Sequence, residues 1–182
     1  MTQFYTYRGF SLRSAGTPIK VLITSFLLTV SVAVVVGIVN YRLRTGLGIA
    51  GAVEWYRGNE ATAGADDAVL YEKTALELLD ATHAHLFGQA FLLFLLAHLF
   101  ALTPVRSGIK LWAYVAAFAS VALDAAAPWL IRFVSPAFAP LQPIGLALMV
   151  GTFLLFVVAP LREMWLPRAG PGRPPSGSSV GA

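Results

Sequence analysis

The chain has 182 residues and a net charge of +4 at pH 7, with 57% hydrophobic residues, only 12% charged residues and a mean hydropathy of +0.71. Soluble domains average about 25% charged residues, so this composition excludes an ordinary soluble domain and favours a membrane protein. The basic residues are scattered around hydrophobic runs, which argues against nucleic-acid binding, and the absence of cysteine excludes disulfides, iron–sulfur clusters, thiolate metal sites and covalently attached c-type haem.

Four apolar runs are long enough to cross a bilayer, which takes about 20 residues. The first run ends in NYRLR, without a small-residue cleavage site, and therefore reads as a retained anchor and not as a signal peptide. None of the runs alternates like a membrane β-strand. The predicted fold class is all-α, an integral membrane four-helix bundle within residues 20–165, with spans at about 21–40, 83–103, 111–131 and 141–161.

Three segments are predicted to lie outside the bilayer. Residues 1–19 form an N-terminal segment, and the tail 166–182 has almost nothing to bury and is predicted to be disordered. The segment 41–82, between spans one and two, begins rich in glycine and is predicted to hold a loop and a helix. Its second half, DDAVLYEKTALELLDAT, reads as a helix leading into span two, with Asp66 or Asp67 as the N-cap.

Lysine and arginine in the short flanks indicate the orientation. Eight of them flank one side of the predicted spans and five flank the other side. The larger group would face the cytoplasm, so both termini are predicted to be cytoplasmic and 41–82 to be outside. The two groups are Arg8, Arg13, Lys20, Arg106, Lys110, Arg162, Arg168 and Arg173 on one side, and Arg42, Arg44, Arg57, Lys73 and Arg132 on the other.

Few polar side chains fall within or beside the spans, and these are the candidates for function because burying them in a bilayer is costly. His85 and Gln89 share one helix face at i,i+4, and Asp124 lies at a similar depth, roughly 10 Å below the outer boundary. We expect the three to form a polar cluster that borders a quinone head group, a metal or a proton path. Arg132 would neutralise Asp124 from above. The alternative is that Asp124 and Gln89 only hold helices together.

The other two histidines suggest haem or metal binding. His83 and His98 can face one neighbour at opposite leaflets, as in helices that ligate two b-type haems. The other spans contain no histidine, so a partner subunit would have to supply the second ligand of each haem. His83 and His85 could bind a metal only if the helix starts after them, because positions i and i+2 point about 200° apart on a helix. Otherwise these are interfacial histidines, and His98 is a buried hydrogen-bonded or partner-facing one.

Three stretches carry a resemblance to a known group: VEWYRGNE (53–60), THAHLFGQ (82–89) and APWLIRFVSPAFAPLQ (127–142). Together they resemble small four-span bacterial membrane proteins that are often encoded beside cytochromes or other electron-transfer genes. The resemblance covers about 40–165. It implies a multi-pass protein of the bacterial inner (plasma) membrane that associates with a redox complex, and it implies no catalytic residue and no haem ligand.

The sequence contains no phosphate loop, no G-x-S-x-G and no HExxH motif, so no catalytic activity of its own is expected. The predicted function is an accessory subunit of a respiratory or photosynthetic electron-transfer complex, in contact with lipid and other membrane subunits. The acidic outer segment would face a periplasmic cytochrome domain. Any cofactor would be haem b or quinone shared with a partner subunit. The alternatives are a b-type haem or metal-binding membrane protein with ligands completed by a partner, and a small transporter or channel.

Overall fold

The computed structural model describes residues 11–64 and 68–166, and within them every regular element is helical. Four helices are long and apolar enough to cross a membrane, which confirms the predicted all-α integral membrane bundle. A fifth, short helix follows the first of them. The helices are α1 Thr17–Thr45, α2 Ile49–Arg57, α3 Ala75–Ala101, α4 Ser107–Trp129 and α5 Leu141–Trp165.

The long helices continue past the predicted spans. α1 has 29 residues and α3 has 27, or about 40 Å each, whereas the hydrocarbon core of a bilayer is about 30 Å thick. Hydropathy marks only the apolar part of a helix, while its ends are set by capping. α1 ends at Thr45 and is capped by Gly46, which takes the left-handed conformation (φ 61°) that favours glycine. The span limits themselves stay predictions.

The start of α3 differs from the prediction. The helix begins at Ala75, with Thr74 as its N-cap; the Thr74 hydroxyl accepts from Glu77 N, and the Glu77 carboxylate accepts from Thr74 N in return. This capping box satisfies two backbone donors that the first helical turn leaves without partners. The predicted start at 66 was therefore wrong, since residues 68–74 are not helical. Asp66 and Asp67 lie outside the described residues, as do the tail from 167 onward and Arg8.

The tightest packing joins α3, α4 and α5 at the end of the bundle that contains the α3–α4 turn. Phe100 and Phe156 are fully buried there, with ring centroids 5.0 Å apart. The first half of α1 joins this core through Leu27 and Val30. Among the described helices, the rest of α1 packs mainly against α2 and hardly touches α3. The second half of α1 therefore leaves a gap beside α3.

The opposite end of the bundle, here called the α2 end, is closed by α2 and by the segment after α4. α4 passes into a π-helical turn, Leu130–Val134. The Arg57 guanidinium donates to Ile131 O (3.1 Å) and so satisfies a carbonyl at this irregular helix end. Arg132 pairs with Glu72 (2.7 Å) and donates to Lys73 O (2.9 Å). The predicted pairing of Arg132 with Asp124 was therefore wrong, because Arg132 faces the connection that precedes α3.

Candidate functional site

A cleft of about 610 Å³ lies between α1 and α3. The cleft exists because the second half of α1 packs against α2 and does not cover the groove between α3 and α5. α4 and α5 form its floor, and α2 covers it at the α2 end. Side chains from all five helices line it.

Three polar side chains meet on the α3–α4 side of the cleft. His85 Nδ1 lies 3.1 Å from Asp124 Oδ2, and Gln89 Nε2 donates to the same oxygen at 2.9 Å. His85 and Gln89 are one helical turn apart on α3, so both reach the single carboxylate on α4. The sequence predicted this juxtaposition from spacing and depth. We call these three residues the polar cluster.

The polar cluster is accessible from the cleft. The His85 side chain is 62% exposed and that of Asp124 is 31% exposed, and both residues line the cleft. A carboxylate that accepts two hydrogen bonds is partly compensated for its removal from water. The exposed part of His85 is therefore available to a molecule that enters the cleft.

A second pair of polar side chains lies above the polar cluster, toward the α2 end. Gln142 Nε2 of α5 donates to the Tyr56 hydroxyl of α2 at 3.4 Å. Burial raises the pKa of Tyr56 to about 12, and the negative charge of Asp124 adds to this rise. Tyr56 therefore remains a neutral hydrogen-bonding group across the physiological pH range.

Positive charge surrounds the mouth of the cleft. The Arg44 guanidinium carbon lies 5.2 Å and Lys73 Nζ 4.7 Å from the centroid of the Trp55 ring. Both distances fall within the range of a cation–π interaction. Glu77 pairs with Lys73 at 3.1 Å. The Trp55 indole thus holds the side chains of Arg44 and Lys73 at the mouth of the cleft.

The other end of the cleft is apolar. Its lining there includes Val34, Leu92, Leu146, Met149 and Phe153. Counting along α3, the cleft extends from Glu77 to Leu93, or about 24 Å. The lining of the cleft therefore changes along its length from charged, through hydrogen-bonding, to apolar side chains. This order matches an amphipathic molecule, which has a polar head and an apolar tail.

Two buried polar atoms beside the cleft have no hydrogen-bond partner among the described residues. They are Gln89 Oε1 and the Tyr41 hydroxyl oxygen. A buried polar atom without a partner costs about 1–3 kcal/mol. Both residues line the cleft, although these two atoms are themselves buried and do not face it.

His83 and His98 lie apart from the polar cluster. α3 is continuous through His83 and His85, so the two rings point to different sides, and His83 is exposed. Within residues 11–64 and 68–166, no three histidine, aspartate or glutamate side chains gather as a metal site would require. His98 is half-buried, and its ring packs edge-on against Phe94 with the ring centroids 4.1 Å apart. His98 Nδ1 also forms a 2.8 Å hydrogen bond with the Phe94 carbonyl oxygen.

Sequence reasoning missed the contributions of α1, α2 and α5 to the site. Tyr41, Tyr56 and Gln142 lie at or beyond the ends of the apolar runs, where polar residues are ordinary. Two of them fall within the stretches that carry the family resemblance, VEWYRGNE and APWLIRFVSPAFAPLQ. That coincidence was the available signal.

Residues 46–171 match the model of the Aq_1264_TM family, described as a transmembrane helical domain. The chain belongs to this family. The match begins at the end of α1 and takes in α2 to α5, and so includes the polar cluster and the floor of the cleft. Searches of curated proteins and of solved structures found no match. Membership of Aq_1264_TM therefore establishes a helical membrane domain. The function of the cleft has to be inferred from the geometry of its residues.

Proposed function

We propose that this Aq_1264_TM chain binds a lipid-soluble molecule of the quinone class in the cleft between α1 and α3. The ring would lie at the polar cluster of His85, Gln89 and Asp124, and the tail would lie against Leu146 and Phe153. The observation that carries the proposal is the position of the polar cluster, on one side of a cleft that is otherwise apolar toward mid-helix.

The size and the opening of the cleft support a molecule of this class. Small-molecule sites usually occupy about 300–1,000 Å³ and combine apolar walls with a few polar groups that fix orientation. The cleft has about 610 Å³ and this composition. Because α1 hardly touches α3, a molecule dissolved in the bilayer could enter sideways between the two helices. A water-soluble substrate would gain nothing from such an entrance.

We further propose that the chain acts as an accessory subunit of an electron-transfer complex in the bacterial inner membrane, with both termini in the cytoplasm. A quinone-class ligand would connect the cleft with such a complex, and the resemblance of three sequence stretches supports the same context. The distribution of lysine and arginine supports the orientation. In this orientation the polar cluster lies in the outer half of the bilayer.

Binding to the purified full-length protein tests the proposal. A short-chain benzoquinone is titrated into the protein in mild detergent, and quenching of tryptophan fluorescence is followed. Trp55 lines the cleft, so a Trp55→Phe variant identifies the part of the signal that comes from it. We expect saturable quenching that Asp124→Leu weakens about tenfold or more, because the substitution leaves two donors without their acceptor.

The matched control is His83→Ala, on an exposed part of the same helix. It should bind like the unaltered protein. Quenching that does not saturate, or that His83→Ala and Asp124→Leu change equally, would mean that the quinone only partitions into the micelle. Co-purification with cytochrome subunits from the native membrane tests the accessory role separately.

A further inference from the structure

The hydrogen bonds around Asp124 determine which face of His85 meets a ligand. Asp124 Oδ2 already accepts from Gln89 Nε2 (2.9 Å) when it meets His85 Nδ1 (3.1 Å). The Gln89 amide has its nitrogen toward the carboxylate, as expected for an ionised acceptor. An oxygen that accepts from two donors places the imidazole proton on Nδ1. In the neutral ring, Nε2 then carries a lone pair and is an acceptor.

The accessible edge of His85 is the Nε2 edge. Nδ1 is engaged by Asp124, the side chain is 62% exposed, and no described residue forms a hydrogen bond with Nε2. In the neutral ring, the exposed edge of His85 therefore offers a hydrogen-bond acceptor to a molecule in the cleft.

We infer that the cleft selects head groups that carry a hydroxyl, the quinol form of a quinone-class molecule, with His85 Nε2 as the acceptor of the hydroxyl proton. This inference rests on the proposed function. In the neutral ring a hydroxyl donates to Nε2, whereas a carbonyl oxygen would meet it lone pair against lone pair. The inference concerns a hydrogen bond only, so no covalent bond is broken and no electron is transferred.

His85 acts here as the residue that determines specificity, and Asp124 as the residue that positions it. Asp124 holds the proton on Nδ1 and fixes the ring orientation, as carboxylates do for histidines in many sites. A hydrogen bond to a neutral partner contributes about 0.5–1.5 kcal/mol. Such a bond corresponds to a preference of about 2- to 12-fold for a hydroxylated head over one of equal size without a donor.

The test compares three probes of the same skeleton: a short-chain benzoquinol held reduced under anaerobic conditions, its quinone, and the dimethyl ether of the quinol. The affinity of the quinone is measured with the full-length protein by the Trp55-dependent quenching, and those of the quinol and the ether by their ability to displace the quinone and reverse that quenching. The quinol should bind about 2- to 12-fold more tightly than both other probes. The dimethyl ether keeps the ring and removes both donors, so it isolates the hydroxyl from the redox state.

His85→Asn is the matched variant. The asparagine amide nitrogen can replace Nδ1 as donor to Asp124, while nothing replaces the Nε2 acceptor, so the quinol preference should vanish in a folded protein. His83→Asn controls for unequal partition into the micelle and should keep the preference. Equal binding of all three probes, or a preference for the quinone, would overturn the inference and leave the proposed function standing. Saturable binding of none of them would overturn both.

Discussion

The link between α3 and α4 through Gln89 and Asp124 can be measured as a coupling energy. Replacing either residue by alanine removes the 2.9 Å hydrogen bond between Gln89 Nε2 and Asp124 Oδ2. Each single variant also changes other contacts, since Asp124 faces His85 as well. The double-mutant cycle cancels those separate losses and isolates the pair.

The expected coupling is modest. Interhelical hydrogen bonds in membrane proteins average about 0.6 kcal/mol and reach about 1.7 kcal/mol in such cycles. The carboxylate should place this bond in the upper half of that range, because hydrogen bonds to charged groups are about twice as strong as neutral ones. We therefore expect a coupling of about 1–1.7 kcal/mol between Gln89→Ala and Asp124→Ala.

Reversible unfolding in mixed detergent micelles, followed by circular dichroism, gives the four free energies of unfolding. Ser31→Ala provides the control cycle with Asp124→Ala, because among the described residues the Ser31 hydroxyl donates only to Leu27 O of its own helix. That cycle should be additive. A Gln89–Asp124 coupling below about 0.3 kcal/mol, within the usual error of additivity, would refute the bond on which the polar cluster depends.

Three further variants test other parts of the fold. Gly51→Ala should destabilise the protein severely, because the added Cβ would overlap the Thr45 carbonyl and lie 2.8 Å from its carbon; thermal denaturation measures this loss. Arg132→Gln removes the ion pair with the half-exposed Glu72 (2.7 Å) and the 2.9 Å hydrogen bond to Lys73 O, and should lower the free energy of unfolding by about 1–2 kcal/mol in the same assay. Absorbance titration at 295 nm should show a phenol with a midpoint near pH 12 that Tyr56→Phe removes. Since burial raises this pKa above the unfolded value of about 10, the stability that Tyr56 contributes should be complete below pH 10 and lost as the pH rises toward 12.

For each of these three variants, either a control variant or a contradicting result can be stated. Gly151→Ala, whose Cβ would meet nothing within 4 Å, should leave stability equal or slightly higher. Arg42→Gln removes an exposed arginine that forms no ion pair among the described residues and should cost little. A Tyr56→Phe variant that loses a phenol titrating near pH 10 would contradict the buried position of Tyr56.

The fold class was predictable because the interior of a bilayer offers no hydrogen-bond partners to the backbone. Continuous apolar runs of span length can satisfy their backbone groups there only as helices, so composition and run length were enough. The contact of His85 and Gln89 with Asp124 followed from the helix repeat and from the short turn between α3 and α4. These predictions used only local geometry and the order of the helices.

The rest depended on tertiary contacts that no periodicity encodes. Arg132 is two turns from Asp124 along the chain, but the π-helical turn after Trp129 directs it to Glu72 instead. The cleft exists because α1 packs on α2. The hydropathy of a helix does not indicate which other helix it packs against, so this pairing could not be predicted. The start of α3 was misplaced because acidic residues suggested a cap, whereas Thr74 and Glu77 form it.

Photochemical cross-linking tests the central claim most directly, namely that a quinone-class molecule occupies the cleft. A short-chain quinone with a photoreactive tail is bound to the purified full-length protein, irradiated and mapped by mass spectrometry. We predict adducts on cleft residues of α1 and α3, such as Val34 and Leu92, and their loss when excess unlabelled quinone is present. Adducts spread over bilayer-facing residues such as Val115 and Leu154, without competition, would contradict the proposed site.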